Sequence, residues 1–379
     1  MKSRWGRGIV AGLWVAGCGS SGADNTSDPG PGGPTTPTAP PVPVTRANGQ
    51  LTAWSTGPAM PVARANHCSV VANGYLVVIG GNYKPKGATD FKNLADVHVA
   101  RIAADGSLGE WKLAGSAPSA VNSCTAASDG KSLYLVDGIF DDATKGSKVR
   151  RAPLSDGGDL GAWQDLGALP VGVRVLYSNA SVYSGTLVAL HARLPDDGDG
   201  VALVGAPIAG SSLGSWKQTT WLTGFRGHPQ YAFAKPNEAG SNATYVYALG
   251  GYSGSTSGNA VLADGAGAAL DTGEAPGKSF AVPALPKPTS FGQAIGVDDY
   301  VFVVGGKDDV LSGKGRADAY VARVEGGPLG AWATVASLPQ GRTSHSLALH
   351  GDFLYVTGGG FDAGGLDTVF TARVRFPVP

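Results

Sequence analysis

Five cations stand at comparable places along the chain: Arg64, Arg174, Arg226, Lys287 and Arg342, each a few residues ahead of an apolar run. Aromatic and acidic residues follow those runs: Tyr83, Phe140 with Asp141 and Asp142, Tyr252, Asp308 with Asp309, and Phe361 with Asp362. Guanidinium groups grip oxyanions bidentately, and aromatic faces carry large apolar contact area. A surface that gathers both suits saccharides or peptide carboxylates. Arg64 and Arg342 each have a histidine three residues on, His67 and His345. The six histidines and three cysteines contain no His-x-His, His-Glu-x-x-His or Cys-x-x-Cys spacing. A zinc centre therefore has no support, and no cofactor is expected.

Other motifs carry less. Gly210-Ser211-Ser212-Leu213-Gly214 has the letters of a nucleophile elbow but sits in a hairpin, without the strand-to-helix context that chemistry needs. Asp196-Asp197-Gly198-Asp199 lacks the spacing of a calcium loop and reads as a solvated turn. Glutamates are scarce near the apolar runs; Glu238, Glu274 and Glu325 fall in insertions or outer turns. Lys+Arg (29) balance Asp+Glu (29), so a basic nucleic-acid surface is not expected. At 42% hydrophobic the chain has ample material for a core.

The elements that position these residues come from a repeat. Trp54, Trp111, Trp163 and Trp332 each have a proline seven residues later, and the same turn precedes them: GQLTAW, GSLGEW, GDLGAW and GPLGAW. SSLGSW, ending at Trp216, is a fifth copy. The steps are 57, 52 and 53 residues, then 116, or twice 58, so one tryptophan is missing and Ser279-Phe280 stands in its place. After each proline comes an apolar run and then a strand ending in glycines, as in YLVVIGG to Gly81, YVYALGG to Gly251, YVFVVGG to Gly306 and FLYVTGG to Gly359. Short Val/Leu/Tyr runs between glycine turns, with no sustained helical period, predict four antiparallel strands per repeat and six repeats.

Arg-x-x-His, the strand ending Gly-Gly and the last-strand tryptophan resemble the kelch-repeat superfamily over residues 44–379. The resemblance implies an all-β, six-bladed propeller. The chain ends on a third strand, TVFTARV, while its start, TRANGQLTAW, matches a fourth. The last blade is therefore expected to be closed by the N-terminal strand, which removes an open sheet edge. In such a blade the loop before the first strand and the loop after the second emerge on one face. The five cations, His67, His345, Tyr83, Phe140, Tyr252 and Phe361 then gather around the axis as a candidate binding face. The competing reading is that the arginines only cap blades and the loops are merely polar. Cys68 and Cys124 occupy nearly equivalent inner-strand sites of adjacent blades, as a disulfide or as two buried thiols.

Ahead of the repeats, Lys2, Arg4 and Arg7 precede a short apolar stretch, Ile9–Ala16, too short to span a bilayer. Val15-Ala16-Gly17-Cys18 resembles the bacterial lipobox, which implies a signal peptide over 1–17 and a lipid-modified Cys18. Gly19 stands where an inner-membrane retention signal would have Asp, so an outer-membrane address follows if the host is Gram-negative. Residues 18–43 read as a Gly/Ser/Thr/Pro tether. Removing 1–17 leaves 26 cations against 29 acids.

Two functions follow. A tethered propeller can hold a glycan or protein partner on its axial face, touching the membrane through its lipid alone. Alternatively, the kelch-like resemblance includes carbohydrate-active enzymes, among them a sialic-acid mutarotase and a copper galactose oxidase. For the oxidase no copper set can be assigned, and for the mutarotase no acid–base pair.

Overall fold

In the computed structural model, the residues described are 49–376 apart from 142–147, 171–175, 194–199, 223–225, 237–242, 254–259, 271–276, 311–313 and 361–363. They form a six-bladed β-propeller, with no helix among them. Blade 1 is Cys68–Ala72, Tyr75–Ile79, Asp96–Ile102 and Leu108–Ser116; blade 2 is Val121–Ser128, Ser132–Phe140, Lys148–Pro153 and Gln164–Ala168. Blade 3 comprises Leu176–Tyr183, Thr186–Arg193, Gly200–Ala209 and Lys217–Leu222, and blade 4 Gln230–Ala234, Tyr245–Leu249, Gly265–Ala269 and Phe280–Val282. Blade 5 follows with Gln293–Val297, Tyr300–Val304, Ala319–Arg323 and Ala333–Thr334. Blade 6 takes Ser346–His350, Phe353–Thr357 and Val369–Arg375, and its outer strand comes from the chain start: Gln50 pairs with Arg375, Leu51 with Val374, Ser55 with Thr371 and Thr56 with Phe370. The expected closure is present.

Second strands are apolar without alternation because each blade is covered on both faces. Leu76, Val77, Val78 and Ile79 are all buried, as are Val301 to Val304. The buried side chains fall into six clusters, one for each blade–blade interface. Tryptophans wedge these joints from the outer strands. Nε1 of Trp54, Trp111, Trp163 and Trp332 donates to the backbone oxygen of Ala336, Pro58, Ser116 and Pro283, each in the preceding blade or the segment that follows it. Phe280 does not take the missing tryptophan's role. It packs on Tyr245 and Tyr247 at the blade 4–5 joint, and the blade 3–4 joint is filled from blade 3 by Trp221.

The paired glycines make the inner joint. A Cβ on Gly80 would lie 2.5 Å from Val121 O, and one on Gly250 2.3 Å from Thr289 O, at or shortly before the next blade's first strand. Only glycine lets the neighbouring backbone this close. The second glycine then donates to that same backbone: Gly81 to Val121 O, Gly251 to Thr289 O, Gly306 to Arg342 O and Gly359 to Arg64 O, at 2.7–2.9 Å.

Candidate functional site

The loop face is built on a ring of residues in the left-handed backbone region, one per blade in five blades: Asn66 (φ 53), Ser123 (φ 48), His228 (φ 44), Phe291 (φ 56) and Ser344 (φ 52). Their amides link blade to blade. Ser123 N donates to Asn66 O, Asn66 N to Ser344 O, Ser344 N to Phe291 O, and Phe291 N to His228 O. The corresponding loop of blade 3, with Arg174, lies outside the described residues. Such a conformation costs a Phe or Ser about 1–2 kcal/mol, and strain of this kind collects where a fold is shaped for use.

A second tier sits over the ring, supplied by the residue that follows each Gly-Gly. Asn82 accepts from Asn66 Nδ2 at 3.2 Å. Tyr252 stacks on His228 with centroids 5.8 Å apart, and His228 stacks on Phe291 at 3.6 Å. Lys307 places its ammonium 4.6 Å from the Phe291 ring centroid. Since blade 4 stands across the axis from blade 1, and blade 5 from blade 2, the rim has two unlike walls. One is aromatic and cationic (Tyr252, His228, Phe291, Lys307); the other offers amides and hydroxyls (Asn66, Asn82, Ser123).

Asn66, Ser123, His228 and Phe291 line an axial cup of about 80 Å³, while Asn82, Tyr252 and Lys307 contact those residues without lining it. Asn179 lines both this cup and the channel of about 280 Å³ that continues along the inner strands past Val71, Val182, Phe233, Ile295 and Leu349. Among the described residues, several buried polar atoms lining or adjoining the cup have no hydrogen-bond partner: Tyr231 OH, His67 Nδ1, and Oε1 of the adjacent Gln230. An unmatched buried polar group costs about 1–3 kcal/mol, so a polar occupant of the cup, water included, is favoured.

The arginines take a different role from the one the loop positions suggested. Arg64 is fully buried and donates to Gly80 O and, bidentately, to the Asp96 carboxylate at 2.8 and 3.0 Å. Arg226 grips Gly250 O and Asp264 in the same way. Arg342, also fully buried, bonds Gly358 O and Thr368 over the Phe370 ring. Each arginine clamps the second and third strands of its own blade, and none caps a neighbour. Lys287 is not their equivalent. Thr289 holds that place in blade 5, Arg316 reaches in to bond it, and Lys287 pairs with Asp318 at 3.1 Å outside the cup. Tyr83 falls one residue beyond Asn82, in the hairpin with Lys92–Asn93. Phe140 ends its strand, and nothing is described of its side chain; Phe361, Arg174 and Cys18 lie outside the described residues.

Cys68 and Cys124 are joined as a disulfide across blades 1 and 2, with Cα atoms 5.7 Å apart. Cys124 lines the cup beside Ser123. His67 does not meet His345 face to face; its Nε2 bonds Thr357 Oγ1 at 2.8 Å.

Burial, then the Arg342 field, holds the His345 pKa down to about 3. Burial and Arg64 lower His67 in the same direction, and burial and Lys307 lower His228. All three are neutral at pH 7. A histidine whose folded pKa lies below the unfolded value of about 6.5 leaves protons to the unfolded chain as pH falls. Each therefore removes about 1.4 kcal/mol per pH unit below that point. Urea unfolding at pH 5 is expected to show a lower midpoint than at pH 7; equal midpoints would mean that these rings are hydrated.

No known family profile matches the sequence, and no curated protein is similar to it in sequence. Among solved structures, one titled "Structure of YjhT" superposes with a TM-score of 0.60 at 12% identity, covering 85% of this chain and 99% of that one. At that identity the likeness is one of fold, and it agrees with the six-bladed architecture derived above.

Proposed function

We propose that this chain is a cell-envelope lipoprotein, lipidated at Cys18 and tethered through residues 18–43, whose kelch-like propeller binds a glycan at the axial cup. The observation that carries the reading is the pair of opposed walls around buried, unpartnered polar atoms. A pyranose has an apolar face of C–H groups and an edge of hydroxyls. The first suits the Tyr252–His228–Phe291 stack and the second suits Asn66, Asn82 and Ser123. The cup itself admits only an edge or substituent of the sugar, so recognition is of a chain end. Catalysis has no support from the arginines, since those described serve as blade clamps.

A thermal-shift screen of the whole chain against neutral and acidic saccharides tests this. A saccharide at 100 times its dissociation constant adds about 2.7 kcal/mol and raises the unfolding midpoint. A flat response across the panel would overturn the glycan reading and turn attention to a protein partner on the same face.

A further inference from the structure

The Cys68–Cys124 disulfide stands at a joint that has little need of it. Blades 1 and 2 are already tied by Asn73 N to Gly130 O, Val121 N to Leu94 O, Ser123 N to Asn66 O and Leu160 N to Ala114 O, at 2.7–3.1 Å. Lys112 and Asp159 add an ion pair at 2.8 Å, and the chain itself crosses from one blade to the next over residues 117–120. The ring's seam is elsewhere, in blade 6, where the chain start pairs with the chain end without a covalent bond. Thr52 and Arg373, which bond each other there, are 321 residues apart, whereas Cys68 and Cys124 are 56 apart. A cross-link constrains the unfolded chain more, the longer the loop it closes. A bridge kept for stability alone would serve the seam better.

The two halves of the bridge have different surroundings. Cys68 is 5% exposed and belongs to the apolar cluster of Val77, Ile79, Val97 and Leu135. Cys124 packs against the rim of that cluster, is only half-buried, and lines the axial cup with His67, Ser123 and His228. Cys68 is not among the residues that line the cup, and none of those is acidic, so an arriving thiolate meets no like charge. Thiol–disulfide exchange goes to the sulfur that the attacking thiolate can reach. We propose that Cys124 is a thiol-exchange site, at which a low-molecular-weight thiol entering the cup is captured as a mixed disulfide. The incoming thiolate bonds to Cys124 Sγ as the Cys68–Cys124 bond breaks. The electron pair of that bond leaves on Cys68 Sγ, which takes up a proton to replace the one the thiol gave up, and no external oxidant is consumed. A cup of about 80 Å³ admits the CH₂–SH head of such a molecule, since a water claims about 30 Å³ of liquid. Once captured, the thiol fills the cup and closes it to any other ligand. The proposal requires the cup to be open and is independent of which ligand uses it.

The test treats the oxidised whole chain with cysteamine at mildly alkaline pH, quenches in acid, unfolds, alkylates with N-ethylmaleimide and maps peptides by mass, reading the Cys18 peptide separately. Cysteamine is expected on Cys124 and N-ethylmaleimide on Cys68. Cys68→Ser and Cys124→Ser each leave one thiol of the pair, and a cooperative unfolding transition shows that each variant is folded. With cystamine, the corresponding disulfide, Cys124 in the first variant should react more than about tenfold faster than Cys68 in the second, which must wait for local opening. Cysteamine on Cys68, no adduct until urea unfolds the chain, or equal rates in the two folded variants overturns the proposal; where a variant does not fold, the wild-type map decides. An adduct at Cys124 with no saccharide response leaves this proposal standing and overturns the glycan reading; a saccharide response without the adduct does the reverse.

Discussion

Replacing Arg64 by methionine is expected to cost about 3 kcal/mol or more of folding stability, among the largest effects of any single change in this fold. The guanidinium is fully buried, and its loss strands Asp96, whose carboxyl Arg64 and His98 hold well below the usual carboxylate range against the opposing effect of burial. It also removes the donor to Gly80 O, at the point where blade 1 meets blade 2. Methionine fills much of the volume, so the measured loss reports the ion pair and not a cavity. Urea unfolding at pH 7 measures it. A cost below about 1 kcal/mol, the range of exposed pairs, would mean that Arg64 faces solvent on the axial surface.

Starting the chain at Pro58 should be as damaging. The truncation removes Gln50–Leu51, Ser55–Thr56 and Trp54, leaving Val369–Arg375 as an unpaired edge and opening the blade 5–6 joint. Loss of a packed tryptophan alone costs about 3–5 kcal/mol, and an open edge invites pairing with another chain. Calorimetry and size-exclusion chromatography of the truncated protein are expected to show a midpoint lowered by many degrees and self-association. A monomer with an unchanged midpoint would contradict closure by the N-terminal strand.

The fold was legible because its determinants are local and repeated. The Gly-Gly endings encode a close approach that only glycine permits, and the tryptophan turns recur at nearly constant steps. Closure could be read because the chain ends one strand short of a blade that its own start completes. The site was less legible. Asn66, Ser123, His228, Phe291 and Ser344 share no side-chain chemistry; they share a positive φ, and the amides of all but His228 donate to the preceding blade. That is a property of backbone position. The available signal is place: Asn66 and Ser344 stand one residue before His67 and His345 of the Arg-x-x-His motif, and Ser123 one before Cys124. The clamping role of the arginines is hard to read in sequence because each partner lies about thirty residues on. Asp96, Asp264 and Asp318 do recur at one register, on or just before the first residue of the third strand, a regularity present in the sequence. Lys287 was aligned by charge when the register belongs to Thr289 and the cation has moved to Arg316. For Cys68 and Cys124, sequence left a bridge and two thiols open; the twist between inner strands brings their Cα atoms to 5.7 Å.

The claim that matters most is that the axial cup is where the ligand sits, and Phe291→Asn tests it with least disturbance. Asparagine adopts the left-handed conformation at position 291 far more readily than phenylalanine, so the backbone is relaxed while the aromatic wall is removed. The measurement is a paired titration of wild-type and Phe291→Asn protein with the saccharide that gives the largest thermal shift. The account expects affinity to fall about tenfold or more, the scale of a lost stacking contact of about 1–1.5 kcal/mol, with an unfolding midpoint equal to or above wild type. Unchanged affinity in the folded variant would mean that the ligand binds elsewhere on the propeller.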